Sequence, residues 1–336
     1  MSKALQKEPP KANPLEELAD LLDTDMRAVN ALILERMQSD VQLIPQLAAY
    51  LIAAGGKRIR PLLTLASTAI YEGDMPRAHK LATSVEFIHS ATLLHDDVVD
   101  ESDTRRGQDT ANIVFGNQAS VLVGDFLFSR AFQLMTEDGS LEVLRILSEA
   151  SAIISQGEVM QLTTANNLST TMDDYIEVIS AKTAALFSAA CEIGPVIAGA
   201  GEQQQTAMKT YGLNMGIAFQ IADDTLDYMA QREKLGKTVG DDFREGKITA
   251  PVLFALQNAS EEEKQFWQRC LGELDQNYED LQTAMDLFKK HETIQASLDL
   301  AVTYKDKAIT ALAQTPNTQL RTLLEDTASY SIMRNH

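Results

Sequence analysis

The sequence predicts an all-α bundle, and three observations carry that prediction. Helical periodicity recurs almost everywhere beyond residue 14, in Ala-, Leu- and Met-rich stretches of roughly 10 to 30 residues. Gly, Pro and Asn/Asp/Ser clusters punctuate those stretches. Strand signals are scarce.

Taken in chain order, residues 1–14 end Glu8-Pro9-Pro10-Lys11-Ala12-Asn13-Pro14. They are polar and proline-rich, have no apolar h-region, and read as a flexible tail rather than a signal peptide. Helices are expected over 15–38 and 43–54. Gly55-Gly56 ends the second of these and Pro61 starts the next, over 61–71. A helix over 76–100 carries an acidic cluster, and helices over 117–136 and 141–165 follow. The helix over 172–190 contains the apolar run Ile179 to Phe187, in which Lys182-Thr183 lies. The helix over 202–231 passes through Ile217-Ala218-Phe219 and Ile221-Ala222 into a second acidic cluster. A glycine-rich loop, Leu235 to Lys247, separates it from a helix over 248–257, and several more fill 261–332. No Pro/Ser/Gly linker divides the chain, and the two acidic clusters must face each other across a shared cavity. Residues 15–336 are therefore expected to form one domain.

Composition narrows the function. The chain has 336 residues, 45% of them hydrophobic, enough for a substantial core. A net charge of -19 disfavours nucleic acid or an anionic membrane as the main partner, so an anionic substrate needs a local basic pocket. Only Cys191 and Cys270 occur, without CxxC spacing, which supports neither a disulfide framework nor a zinc site and fits a reducing cytoplasm. No apolar run approaches the roughly 18 residues of a membrane span.

The acidic clusters are Asp96-Asp97-Val98-Val99-Asp100 and, 127 residues later, Asp223-Asp224-Thr225-Leu226-Asp227. Each reads DDxxD. Residues four apart stack on one helix face, so Asp96 with Asp100 and Asp223 with Asp227 form two carboxylate pairs. With 48 acidic residues, one such motif arises readily by chance, but two with apolar neighbours such as Leu93-Leu94 and Ile221-Ala222 do not fit a solvated face. Buried carboxylates need cations. Carboxylates also repel phosphate, so clusters of this kind meet a phosphorylated substrate through Mg²⁺.

Cations flank both clusters. Gly55-Gly56-Lys57-Arg58-Ile59-Arg60-Pro61 packs three positive charges between helices, a pattern that capping alone could explain. Arg105-Arg106-Gly107 follows the first cluster by five residues, and guanidinium forks there can bind phosphate oxygens. His89 lies two turns before Asp96 on the same stripe. Lys182 either snorkels to the surface or points into a polar cavity, and the cavity is favoured. The loop Gly236-Lys237-Thr238-Val239-Gly240-Asp241-Asp242-Phe243-Arg244-Glu245-Gly246-Lys247 lacks Walker A spacing and reads as a closing loop that brings Lys237 and Lys247 to a leaving diphosphate.

The motifs GGKRIRP, HSATLLHDDVVDESDTRRG, GEVMQL, AKT, FQIADDTLD and GKTVGDDFREGK, in this order over about residues 45–255, closely resemble the trans-prenyltransferases that make all-trans polyprenyl diphosphates. The resemblance implies an isoprenoid-synthase all-α fold around a deep central cavity, a homodimer, and elongation of an allylic diphosphate (farnesyl or geranyl) by isopentenyl diphosphate. It implies that Asp96, Asp97, Asp100, Asp223, Asp224 and Asp227 hold three Mg²⁺. Lys57, Arg60, His89 and Arg106 are then expected to bind isopentenyl diphosphate, and Arg105, Lys182, Thr183, Gln220, Lys237 and Lys247 the allylic diphosphate. The residues expected to carry the chemistry itself are Asp96, Asp97, Asp100, Arg105, Lys182, Asp223 and Lys237. Near the first cluster the sequence most resembles long-chain enzymes making octaprenyl to decaprenyl chains for quinones, and release of such a product implies transient membrane contact.

Product length should follow cavity depth. One turn before Asp96 stand Ala91 and Thr92, both small, where short-chain members of the family place an aromatic plug. Met135 and Leu147 are candidates for a deeper floor. The rival readings are a shorter-chain farnesyl or geranylgeranyl synthase, a terpene cyclase and a non-catalytic subunit. A cyclase has one substrate, whereas Lys57, Arg60 and His89 make sense as a site for a second diphosphate. An inactive subunit has no reason to keep both acidic clusters balanced by cations.

Overall fold

A computed structural model describes residues 13–53, 55–105, 107–229 and 240–333. Among them the chain is almost wholly helical: α1 (Pro14–Leu21), α2 (Asp23–Arg36), α3 (Leu43–Ala53), α4 (Ile59–Ala69) and α5 (Met75–Val99) come first. A two-stranded antiparallel hairpin, β1 (Thr104–Arg105) and β2 (Gln108–Asp109), precedes α6 (Ala111–Phe115), α7 (Asn117–Asp138) and α8 (Leu141–Thr164). Then come α9 (Met172–Ile179), a π-helical turn at Ser180–Ala184, α10 (Ala185–Ile197) and α11 (Glu202–Met229). The chain closes with α12 (Asp241–Arg244), α13 (Ala250–Gln257), α14 (Glu261–Trp267), a π-helical turn at Gln268–Gly272, α15 (Asp280–Lys290), α16 (Thr293–Ala311) and α17 (Gln319–Ile332).

Three expectations need correction. The helix expected over 15–38 is two helices that meet at Leu22, because their apolar faces have different partners: α1 packs on α17 and α2 on α5. Asp23 and Asp25 then fall in the first turn of α2, where the helix dipole favours acidic side chains. The helix expected to end at 190 continues to Ile197 and includes Pro195. Its extension packs on α4, and Gly194 allows that approach, since a Cβ there would stand 2.6 Å from Thr68 N. The hairpin and α6 had no strand or helix signal in the sequence.

Two clusters of buried side chains form the core. One is built from α1 to α8, α10, the end of α16 and α17, and the other from α9, α12, α13, α14, α15 and the first part of α16. Helix α11 serves both, since Met208, Tyr211 and Met215 enter the first and Ile217, Ile221 and Tyr228 the second. Each of these residues is removed almost completely from water, which favours the packed state by about 1.5 to 3 kcal/mol per large side chain. The last two turns of α11 therefore start from a rigid base. A surface cavity of about 670 Å³ opens beside Leu168, Leu256, Lys264 and Gln268, away from both aspartate clusters.

Candidate functional site

Asp96 and Asp97 occupy the last turn of α5, and Asp100 caps it. The helix carbonyls there carry partial negative charge, so three carboxylates stand where the dipole disfavours them. Each meets a cation from a different element. Arg105, turned back by the hairpin, donates from Nε (2.9 Å) and Nη2 (2.7 Å) to Oδ1 of Asp97, which is 4% exposed. Lys182 Nζ lies 3.8 Å from Asp96 Oδ2 and donates to Glu158 on α8 at 2.7 Å. Lys247 Nζ lies 3.9 Å from Asp100 Oδ2 and pairs with Glu245. The two lysine contacts are longer than hydrogen bonds, so the carboxylates of Asp96 and Asp100 are less tightly engaged than that of Asp97.

The second cluster lies in the last two turns of α11. Asp223 is exposed, whereas Asp224 is buried between Tyr175, whose hydroxyl donates to Oδ2 at 2.6 Å, and Gln220, whose amide donates to Oδ1 at 2.7 Å. Thr183 donates in turn to Gln220 Oε1 at 2.8 Å, which ties the π turn to α11. Asp227 accepts backbone hydrogen bonds from Asp241 and Asp242 at the start of α12. The backbone N–H of Lys247 donates to Asp242 O at 2.9 Å. The segment held by the second cluster thus delivers Lys247 to Asp100 of the first. Both clusters face one site.

Electrostatics points to a shortage of positive charge there. Burial pushes the Asp96 carboxyl up to about 7 despite Lys182, with Glu158 and Asp100 adding to the rise. Burial likewise pushes Asp224 up to about 7 against its hydrogen bonds from Tyr175 and Gln220. Burial and the neighbouring Asp224 and Asp227 hold the Asp242 carboxyl well above its ordinary range. Lys247 responds the other way: burial lowers its pKa, but Asp242 and Glu245 outweigh that and leave it raised. Asp96, whose nearest cation among the described residues lies beyond hydrogen-bond reach, Asp100, likewise only loosely paired, and the exposed Asp223 are hard oxygen donors of the kind that fits a divalent cation. Among the described residues no three His, Cys, Asp or Glu side chains are arranged to enclose an ion unaided. Mg²⁺ does not require that, since it is commonly held by one or two carboxylates plus phosphate oxygens and water.

A second basic region involves α4 and α5. Arg60 on α4 lies with Nη1 3.0 Å from His89 Nε2, and its guanidinium stacks 4.3 Å over the Phe187 ring. Burial lowers its pKa to about 10, Glu86 opposing, and its Nε is buried without a hydrogen-bond partner. A cation in that state is ready for an anion. Lys57 is exposed in the loop before α4, and Arg58, at a left-handed φ of 44°, pairs with Glu86 at 2.9 Å. Arg106 and Lys237 lie outside the described residues.

Of the expected residues, the structure thus brings together Asp96, Asp97, Asp100, Arg105, Lys182, Thr183, Gln220, Asp224, Asp227 and Lys247, with Arg60 and His89 as a separate pair. Sequence reasoning did not single out Glu158, Tyr175, Asp242 or the Arg58–Glu86 pair as site residues. Glu158 stood in the GEVMQL motif and Asp242 in the glycine-rich loop, but Tyr175 had no motif around it.

The π turn is the pivot. A π turn widens the helix by one residue and often marks a functional position. This one is clamped from two sides. A Cβ on Gly157 of α8 would stand 2.8 Å from both Ala181 Cβ and Lys182 N, and a Cβ on Gly216 of α11 would stand 2.6 Å from Ala184 Cα. Gly157→Ala is expected to displace Lys182 and to destabilise the protein by about 1 to 3 kcal/mol, the usual range for overpacking. A thermal melt and a turnover assay of that variant check both effects; wild-type values in each would remove the clamp.

Comparison with known proteins gives the family and the fold. The polyprenyl synthetase family profile matches residues 41–288. The octaprenyl diphosphate synthase of Escherichia coli is 46% identical over 324 residues, covering 96% of this chain and 99% of that protein. The crystal structure of a decaprenyl diphosphate synthase from Rhodobacter capsulatus superposes with a TM-score of 0.92 at 52% identity, covering 96% of this chain and all of that one. A polyprenyl synthase from Caulobacter crescentus, complexed with calcium and isoprenyl diphosphate, superposes with a TM-score of 0.93 at 49% identity, covering 98% of this chain and all of that one.

Proposed function

Because this chain belongs to the polyprenyl synthetase family, we propose that it condenses isopentenyl diphosphate with an allylic diphosphate, farnesyl or geranyl, to build a long all-trans polyprenyl diphosphate. One observation carries the reading. Lys182 and Lys247 stand beside Asp96 and Asp100 of the first cluster, Lys247 arrives on the segment that Asp227 of the second cluster caps, and Arg60 and His89 form a separate pair. Two anion sites suit a condensation of two diphosphates, whereas a cyclase needs one.

In this reading Asp96, Asp100 and Asp223 take the three Mg²⁺ together with diphosphate oxygens. The original six narrow to these because Asp97, Asp224 and Asp227 are engaged by Arg105, by Tyr175 with Gln220, and by the α12 backbone. Bound Mg²⁺ neutralises the charge that develops on the departing diphosphate. Lys182 and Lys247, beside Asp96 and Asp100, are proposed to add to that stabilisation, with Lys237. Thr183 and Gln220 are proposed to orient the allylic diphosphate, and Arg105, held by Asp97, to bind it. Arg60, His89, Lys57 and Arg106 hold isopentenyl diphosphate, whose alkene attacks the allylic cation. Departing diphosphate is itself a nearby base for the final proton, so no side-chain nucleophile is needed.

Chains of eight to ten isoprene units, suited to quinone side chains, fit the octaprenyl and decaprenyl synthases among the relatives. Residues 15–336 are proposed to act as one domain, with α11 shared by both cores. A reducing cytoplasm suits the two buried free thiols. Helices α6 and α7 expose Ile113, Val114, Leu122 and Phe132, and a second copy of the chain is proposed to cover them. Light scattering should then give twice the chain mass, and a monomer would end that part of the proposal. The main test is incubation with Mg²⁺, isopentenyl diphosphate and farnesyl diphosphate, followed by sizing of the dephosphorylated products. Octaprenyl to decaprenyl alcohols are expected. A stop at three or four units would favour the short-chain reading, and no incorporation the non-catalytic one.

A further inference from the structure

Asp227 makes a set of contacts that metal ligation does not require. Its backbone carbonyl accepts from Gly240 N–H at 3.1 Å, its Oδ1 from Asp241 N–H at 3.3 Å, and its Oδ2 from Asp242 N–H at 3.1 Å. Three successive amides of the returning chain thus rest on one residue of α11. Gly240 takes φ 81° to present them, a conformation open to glycine at little cost. Beyond this cap the segment is fixed again. Phe243 is buried, its carbonyl accepts from the Gln276 side chain at 2.8 Å, and Gly246 O accepts from Asn166 N–H at 3.2 Å. Lys247 N–H then closes on Asp242 O, and its Nζ reaches Asp100.

We propose that Asp227 is a positioning residue: it caps the chain at Gly240–Asp242 and so sets where Lys247 stands against Asp100 of the first cluster. The second DDxxD then divides its labour. Asp223 stays exposed for a cation, Asp224 anchors α11 to Tyr175 and Gln220, and Asp227 builds the arm that carries a lysine across to the other cluster. A carboxylate suits the task because it accepts from two amides at once. An asparagine in its place offers one oxygen and one NH₂, and the NH₂ opposes a backbone N–H. The inference rests on the reading of Lys247 as a diphosphate ligand, so the experiment keeps the two apart.

Amide hydrogen exchange is measured on the metal-free, full-length protein carrying Asp227→Asn, with Asp223→Asn as the comparison. Loss of the cap should accelerate exchange across residues 240–247 by roughly tenfold in Asp227→Asn only. Unchanged exchange there, or acceleration spread over α5 and α10 as well, overturns the proposal. Binding of inorganic diphosphate with Mg²⁺ is then compared among Asp227→Asn, Lys247→Ala and the double variant. The double variant should bind no more weakly than Lys247→Ala, because both changes disable the same arm. Additive losses, or a loss of Mg²⁺ binding in Asp227→Asn equal to that in Asp223→Asn, would show Asp227 to be a ligand instead. If diphosphate binding is indifferent to Lys247 altogether, the ligand role of that lysine fails, while the exchange data still judge the cap.

Discussion

Asp96→Ala and Asp223→Ala are each expected to lower Mg²⁺-dependent turnover by on the order of 10³-fold while leaving helical circular dichroism unchanged. The size follows from what the carboxylates face. Among the described residues Asp96 is held by nothing tighter than Lys182 at 3.8 Å, and Asp223 is exposed, so each is expected to serve a cation that carries the charge of a leaving diphosphate. Stability should move the other way from activity at Asp96. Burial already pushes its carboxyl up to about 7, and it sits at the disfavoured end of a helix dipole, so removing it relieves the apo protein. Lys182 keeps its 2.7 Å bond to Glu158 and is not orphaned. An unchanged or higher melting temperature is therefore expected for metal-free Asp96→Ala. Asp97→Ala is the contrast: it strands Arg105 and empties a 4%-exposed position, and breaking a buried pair on one side costs about 3 to 5 kcal/mol, less here because Arg105 is 42% exposed. Full activity in Asp96→Ala or Asp223→Ala would end the metal assignment for that residue.

The same contrast shows how much the sequence disclosed. Both DDxxD motifs and the GGKRIRP cations stand out in the sequence because residue type and spacing alone mark them, whereas the closing-loop reading falls partly on residues 235–239, outside the described residues. Periodicity placed α4, α5, α7, α8 and α11 within a few residues of their observed ends. It failed where tertiary packing decides. Nothing local to residues 15–38 says that α1 will turn toward α17 and α2 toward α5, so the break at Leu22 was invisible. The π turn at Ser180–Ala184 keeps helical spacing to within one residue, and the glycines whose missing side chains admit it, Gly157 and Gly216, lie on other helices. Division of the six aspartates was equally hidden. Which carboxylate accepts from Arg105, Tyr175 or the α12 backbone depends on a hairpin, on α9 and on a returning chain that are remote in sequence from two of the three.

Thr92→Phe is expected to shorten the product to four isoprene units or fewer while the individual condensation steps continue. Sequence spacing offered Ala91 and Thr92 as equal candidates for the open floor, and the structure separates them. Ala91 is fully buried in the core cluster that also contains Met135 and Leu147, both fully buried, so a phenylalanine at 91 has to displace packed neighbours at a cost of about 1 to 3 kcal/mol. Thr92 is only half-buried, its hydroxyl turned to His89 O at 2.9 Å, and it shares the stripe of His89 and Asp96. It stands four residues, or about 6 Å along the axis, below Asp96. A growing chain anchored at the aspartates passes this level early, and an aromatic ring there meets it before it reaches deeper helices. Chromatographic sizing with isopentenyl and farnesyl diphosphates reads the outcome directly. Octaprenyl or longer products from Thr92→Phe would mean that the chain descends along another face of α5. A short product with an unaltered melting temperature would instead make Thr92 the level at which this protein permits length.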